Sequence, residues 1–136
     1  GIQTCALPIL LDHCAGAQAV AGADAPALAA VLALVEGGRA YVKLSAPYRC
    51  STTPGHADRE ALARRFIACN PGRMLWGSDW PRPQPDAAAS ATEVSAPHEA
   101  DNAQVPAQLR QWSPDEQTFR RILVVHPARP DRFDVA

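Results

Sequence analysis

Short apolar runs alternate with amphipathic stretches along the chain. Ile9-Leu10-Leu11 has the pattern of a short buried strand and runs into Asp12-His13. Residues 14–25 are small and loop-like. Asp24 can cap a helix over about 25–35, with Pro26 tolerated in its first turn. Leu28, Val31, Leu32 and Val35 fall on one face at helical spacing, and Gly37-Gly38 stops the helix. The run "YVKLS" at 41–45 predicts a second strand, followed by a loop holding Pro47, Tyr48, Arg49 and Pro54. A second helix is expected over 57–69, with Leu62, Phe66 and Ile67 inward and Asn70-Pro71-Gly72 closing it. Residues 74–77 predict a third strand.

The pattern then lapses. Residues 81–103 are rich in Pro, Ala and Ser and show no period, which predicts a long flexible loop. A short helix is expected over 105–112. Ser113-Pro114-Asp115-Glu116 reads as a capping box with Pro at the first helical position. It would open a last helix carrying Phe119, Ile122 and Leu123, ended by Pro127 and Pro130.

Strand and helix alternating at this spacing argue for an α/β fold with parallel strands joined by helical crossovers. In such folds ligands bind at the carboxyl ends of the strands. Three of those ends carry polar groups here: Asp12-His13, Ser45 with Tyr48-Arg49 beyond it, and Ser78-Asp79. Side-chain alternation places Leu75, Gly77 and Asp79 on one face of the third strand, with Met74, Trp76 and Ser78 opposite. The face with Gly77 leaves room, so Asp79 is expected in a barrel mouth. Ile9, Leu11 and His13 align in the same way, as do Tyr41, Lys43 and Ser45. Bland roles stand beside these: a turn cap for Asp79, a core histidine for His13, a solvated Arg49, and a structural ion pair for Lys43. His56, His98 and His126 read as solvated or structural.

Composition narrows the partners. The 136 residues suit one modest domain, and the formal charge of −1 gives no electrostatic reason for a nucleic acid or an anionic membrane surface. No apolar run nears the ~20 residues of a membrane span, and the amino end lacks a signal-peptide pattern. Cys5, Cys14, Cys50 and Cys69 form no C-x-x-C pair, which reads as reduced thiols in a cytoplasmic protein. The start at Gly1 reads as an entry in the middle of a fold, with residues 1–9 suspected of being foreign sequence.

Four segments in order carry a resemblance: "LLDHCAG" at 10–16, "YVKLSAPYR" at 41–49, "NPGRMLWGSDWPRP" at 70–83 and "ILVVHPARPDRF" at 122–133. Together they resemble the carboxy-terminal part of the amidohydrolase-related (amidohydrolase 2) family, closest to its 2-pyrone-4,6-dicarboxylate lactonase branch. The resemblance implies a TIM (β/α)8 barrel represented by about strands six to eight, an incomplete barrel, since a full one takes about 250 residues. It implies a hydrolase acting on a lactone or other ester- or amide-like bond of a small carboxylate-bearing compound. Asp79 would be the general base, and His13 would polarise the substrate carbonyl. Arg49 would grip a substrate carboxylate, with Tyr48 and Lys43 as further substrate-binding residues. One divalent ion such as zinc would be held by His13 and Asp79 where an ion is used; the lactonase branch is thought to work without one. Alternatives from other classes are a catalytically inactive barrel fragment and a decarboxylase of the same superfamily. This chain departs from the family pattern in lacking H-x-H, in Arg82 where His is common, in His126 where Asn is usual, in Pro130, and in the length of 81–103.

Overall fold

A computed structural model describes residues 9–17, 26–51, 58–82 and 104–131. The elements in chain order are β1 (Ile9–Leu11), α1 (Pro26–Glu36), β2 (Ala40–Leu44), α2 (Asp58–Cys69), β3 (Met74–Trp76), α3 (Gln104–Trp112), α4 (Glu116–Arg120) and α5 (His126–Asp131). The strands form one parallel sheet in the order β1-β2-β3. Leu11 aligns with Val42, and Val42 with Met74. The expected alternation of parallel strands and helices is therefore present, within ±1 residue at most boundaries. The expected loop lies outside the described residues apart from Pro81 and Arg82, as does the Asp24 cap.

The core lies on one face of this sheet. Val42, Leu44 and Met74 are buried against Leu28 and Val35 of α1, Leu62 and Phe66 of α2, Leu109 and Trp112 of α3, and Ile122. These strand positions alternate with Tyr41, Lys43 and Leu75, so the second face carries a different set. In the aligned register that second face also holds Asp12, opposite Lys43 by continuation of the Leu11–Val42 pairing. Gly77 belongs there too: a Cβ on it would stand 3.0 Å from Lys43 Cδ and 3.6 Å from Ser45 Cβ. The alternation expected for β2 and β3 is met. For β1 it is not, because Leu11 packs toward the core while the chain turns at His13.

Two local expectations need correction. The cap of α4 is Asp115, whose Oδ1 accepts the Thr118 N–H at 2.6 Å. Ser113 instead donates its hydroxyl to the Leu109 carbonyl at 2.9 Å and so ends α3, and Pro114 precedes the helix. Pro127 does not end the last helix. A π-helical turn over Arg121–Val125 separates α4 from α5, which runs through Pro127 and Pro130. The backbone stays helical through Arg120, Arg121 and His126, and Pro127 follows directly on the π-helical turn, whose last hydrogen bond runs from the His126 N–H to the Arg121 carbonyl. The α2 helix buries Leu62, Phe66 and Ile67 as expected and Arg59 as well; the Arg59 guanidinium lies over Trp112 and donates to Gln108 Oε1 at 3.3 Å. No described helix is long and apolar enough to cross a membrane.

Phe66 is fully buried at the centre of the helix–sheet contact. Phe66→Ala is expected to lower unfolding free energy by about 3–5 kcal/mol, read as a fall in the urea midpoint. A loss within experimental error would show that the sheet does not depend on α2.

Candidate active site

The three strand ends converge, and each does so through left-handed backbone. His13 has φ 50°, followed by Cys14 at 53° and Ala15 at 61°. Ala46 at φ 46° launches the turn Pro47–Arg49, closed by Arg49 N–H donating to the Ala46 carbonyl at 2.9 Å. Asp79 itself has φ 59°. Side-chain alternation alone would send His13 toward the core with Leu11; the left-handed turn reverses it onto the opposite face. The expected location of His13 is thus correct, but a turn produces it.

Asp79 is the meeting point. Its side chain is 13% exposed. Oδ1 lies 3.5 Å from His13 Nδ1. Oδ2 accepts the Tyr48 hydroxyl in a short hydrogen bond and lies 3.7 Å from Arg49 Nε. His13 Nδ1 also faces Ser45 Oγ at 3.2 Å, and Ser45 is buried. Arg49 stacks over the Tyr48 ring with its guanidinium carbon 5.6 Å from the centroid. The mostly buried carboxylate thus accepts one hydrogen bond, from Tyr48 on Oδ2, with the His13 ring beside Oδ1 and the Arg49 guanidinium beside Oδ2. Burial and then the bond to Asp79 push the Tyr48 phenol above its ordinary value, with a hydrogen bond from Arg49 opposing.

Lys43 stands lower on the same sheet face. Its Nζ pairs with Asp12 Oδ1 at 2.5 Å, the structural ion pair that the sequence allowed. Its stem runs past Gly77, which has no side chain to block it. Beneath the site, Cys50 Sγ–H donates to the His13 carbonyl at 3.3 Å, and a hydrogen bond to Cys50, with burial, pushes the Cys14 thiol up. After Asp79, the Arg82 N–H returns to the Asp79 carbonyl at 2.6 Å and Arg82 Nε donates to the Ser78 carbonyl at 3.2 Å. His126 is buried with Nδ1 3.1 Å from the Met74 carbonyl, a structural place. His56 and His98 lie outside the described residues. Sequence reasoning placed Ser45 at a strand end but gave it no role. The signal was there: position 45 shares a face with Lys43 and sits where a strand end would meet a ligand.

The sequence profile of the amidohydrolase family (the amidohydrolase 2 branch) matches residues 3–129. The chain belongs to the amidohydrolase family. Among curated relatives, it is 30% identical over 125 residues to a 4-sulfomuconolactone hydrolase of Hydrogenophaga intermedia, covering 90% of this chain and 38% of that protein. It is 32% identical over 105 residues to a D-galactarolactone isomerase of Agrobacterium fabrum, covering 76% and 33%. It is 33% identical over 90 residues to a 2-pyrone-4,6-dicarboxylate hydrolase of Comamonas testosteroni, covering 57% and 30%. A solved structure of a putative 2-pyrone-4,6-dicarboxylic acid hydrolase from Pseudomonas putida superposes with a TM-score of 0.69 at 24% identity. It covers 95% of this chain and 44% of that one, which shows the fold: the parallel sheet with its helices is part of a TIM barrel. The chain spans less than half the length of the relatives it matches.

The raised Tyr48 ionisation has a consequence for stability. A phenol whose folded pKa exceeds its unfolded value of about 10 contributes stability that is full below pH ~10 and is lost as pH rises through the folded value. Absorbance titration of the chain's two tyrosines at 295 nm should show a late component that Tyr48→Phe removes. A Tyr48 component at or below pH 10 would contradict the hydrogen bond to Asp79.

Proposed function

We propose that this chain is the carboxy-terminal part of a lactone hydrolase, with Asp79 as general base. The supporting observation is the convergence of His13, Arg49 and Asp79 from three successive strand ends on one carboxylate. Hydrolysis of a lactone needs a water, a base for its proton, and positive character facing the developing oxyanion. Asp79 takes the proton of the attacking water. His13 turns Nδ1 to Asp79 and Ser45 and leaves Nε2 for the substrate; with Nδ1 accepting the Ser45 hydroxyl, Nε2 carries the N–H that polarises the carbonyl. Arg49 carries a planar guanidinium suited to paired hydrogen bonds with a carboxylate. The names of the relatives support the substrate class, a small lactone bearing acidic groups. Lys43, tied to Asp12, holds the floor of the same face and belongs to substrate binding only through that pair.

The described residues do not by themselves complete a metal site. No cluster of three or more His, Cys, Asp or Glu side chains among them could hold an ion, and His13 with Asp79 supplies two donors. The Arg49 guanidinium 3.7 Å from the same carboxylate further disfavours a cation there. A divalent ion would require ligands from beyond the described residues, so no step here passes through one.

A second reading, a catalytically silent barrel portion, is favoured by one observation: among the described residues the site lies on an open three-stranded sheet. Turnover separates the two. The chain is incubated with 2-pyrone-4,6-dicarboxylate and with 4-sulfomuconolactone, and lactone loss is followed by absorbance. Hydrolysis that D79N reduces by about 10²–10⁴-fold supports the hydrolase. Hydrolysis retained by D79N removes Asp79 as base, and none from the unsubstituted chain favours the silent portion. Arg49→Met is expected to raise KM roughly 10–100-fold, as loss of charge-assisted hydrogen bonds does; an unchanged KM would take Arg49 off the substrate carboxylate.

A further inference from the structure

A tyrosine hydroxyl carries a single proton. In this site Tyr48 gives that proton to Asp79 Oδ2. A substrate carboxylate offers acceptors only, so the same phenol cannot donate to it while holding Asp79. The expectation that Tyr48 binds substrate and the geometry of its hydroxyl therefore pull in different directions.

The Asp79 side chain needs such a restraint. Its last torsion joins an sp³ and an sp² carbon and is intrinsically broad, so directional bonds must fix the carboxylate plane. Around its two oxygens, 3.5 Å to His13 and 3.7 Å to Arg49 are long for hydrogen bonds, whereas the Tyr48 contact is short. Tyr48 is well placed to hold the plane because its own backbone is closed on both sides. Arg49 N–H bonds the Ala46 carbonyl at 2.9 Å, and Cys50 N–H bonds the Pro47 carbonyl at 3.2 Å. The Arg49 guanidinium lies over the ring at 5.6 Å.

We propose that Tyr48 is a positioning residue: it orients the Asp79 carboxylate so that Oδ1 faces His13 and the reacting water, and leaves the grip on substrate to Arg49. The kinetic half of this inference rests on the reading of Asp79 as base; the structural half does not. Adjacent residues on one turn thus divide the work, Tyr48 on the enzyme's carboxylate and Arg49 on the substrate's.

Tyr48→Phe removes one oxygen and keeps the ring. A crystal structure of the Y48F chain, compared with one of the unsubstituted chain, reads the orientation without any substrate. A carboxylate that turns Oδ1 away from His13, or becomes disordered, supports the proposal; an unmoved carboxylate overturns it. Kinetics on 2-pyrone-4,6-dicarboxylate supply the second readout. Y48F is expected to lower kcat about 10²-fold, the scale of a misplaced reacting group, with KM within twofold. A raised KM at unchanged kcat would put the phenol on the substrate and overturn the proposal. If the unsubstituted chain does not turn over the lactone, the hydrolase reading fails while the crystallographic comparison still decides the role of Tyr48.

Discussion

The Asp79 carboxylate is the point on which three loops depend. Its side chain is 13% exposed, and its partners come from two other strand ends: His13 from β1, Tyr48 and Arg49 from β2. Removing one partner of a buried charge leaves the others uncompensated, which costs more than the single contact. The loops in turn hold backbone that is unfavourable on its own. His13, Ala46 and Asp79 all sit at positive φ without being glycine. Each such residue costs on the order of 1–3 kcal/mol and persists only where its surroundings over-determine it. The shared carboxylate above and the packed sheet below are those surroundings.

The two faces of the sheet divide structure from chemistry. Val42, Leu44 and Met74 close the core against α1, α2 and α3, and they fix the height of the strand ends. The opposite face is polar and sparsely filled where the site lies: Lys43 paired with Asp12, Ser45 on His13, and Gly77 making room for the Lys43 stem. In a TIM barrel this is the inward face, and its upper rim is where ligands bind. The family assignment and the position of the polar groups therefore agree on which side of the sheet matters.

Much of this was legible in the residues. Alternation along "YVKLS" and "MLWGSD" correctly separated Lys43, Ser45 and Gly77 from the core positions, because side-chain direction in a strand is set by a period of two. His13 shows the limit. Its place beside Asp79 was expected, but with Leu11 packed in the core a period of two would send it to the other face, and the sign of φ at a single non-glycine residue leaves no pattern to read. The end of α3 and start of α4 failed for a related reason. Both Ser113 and Asp115 can cap, and only the helix direction decides that Ser113 serves the helix before it and Asp115 the one after. Pro127 reads as a stop because a regular α-helix interior does not carry it; the chain passes through a π-helical turn at 121–125 just ahead of it and stays helical. The roles proposed for Asp79, His13 and Arg49 rest on family resemblance, while the reason they meet comes from the turns.

The central claim is that three strand ends form one pocket for a lactone bearing a carboxylate. The most direct measurement is a crystal structure of the D79N chain soaked with 2-pyrone-4,6-dicarboxylate, the substitution serving to keep the lactone intact. The account predicts a ligand carboxylate on the Arg49 guanidinium, with the lactone carbonyl facing His13 and the ring beside position 79. A ligand bound away from these three residues, or His13 and Arg49 on opposite sides of the sheet, would contradict it.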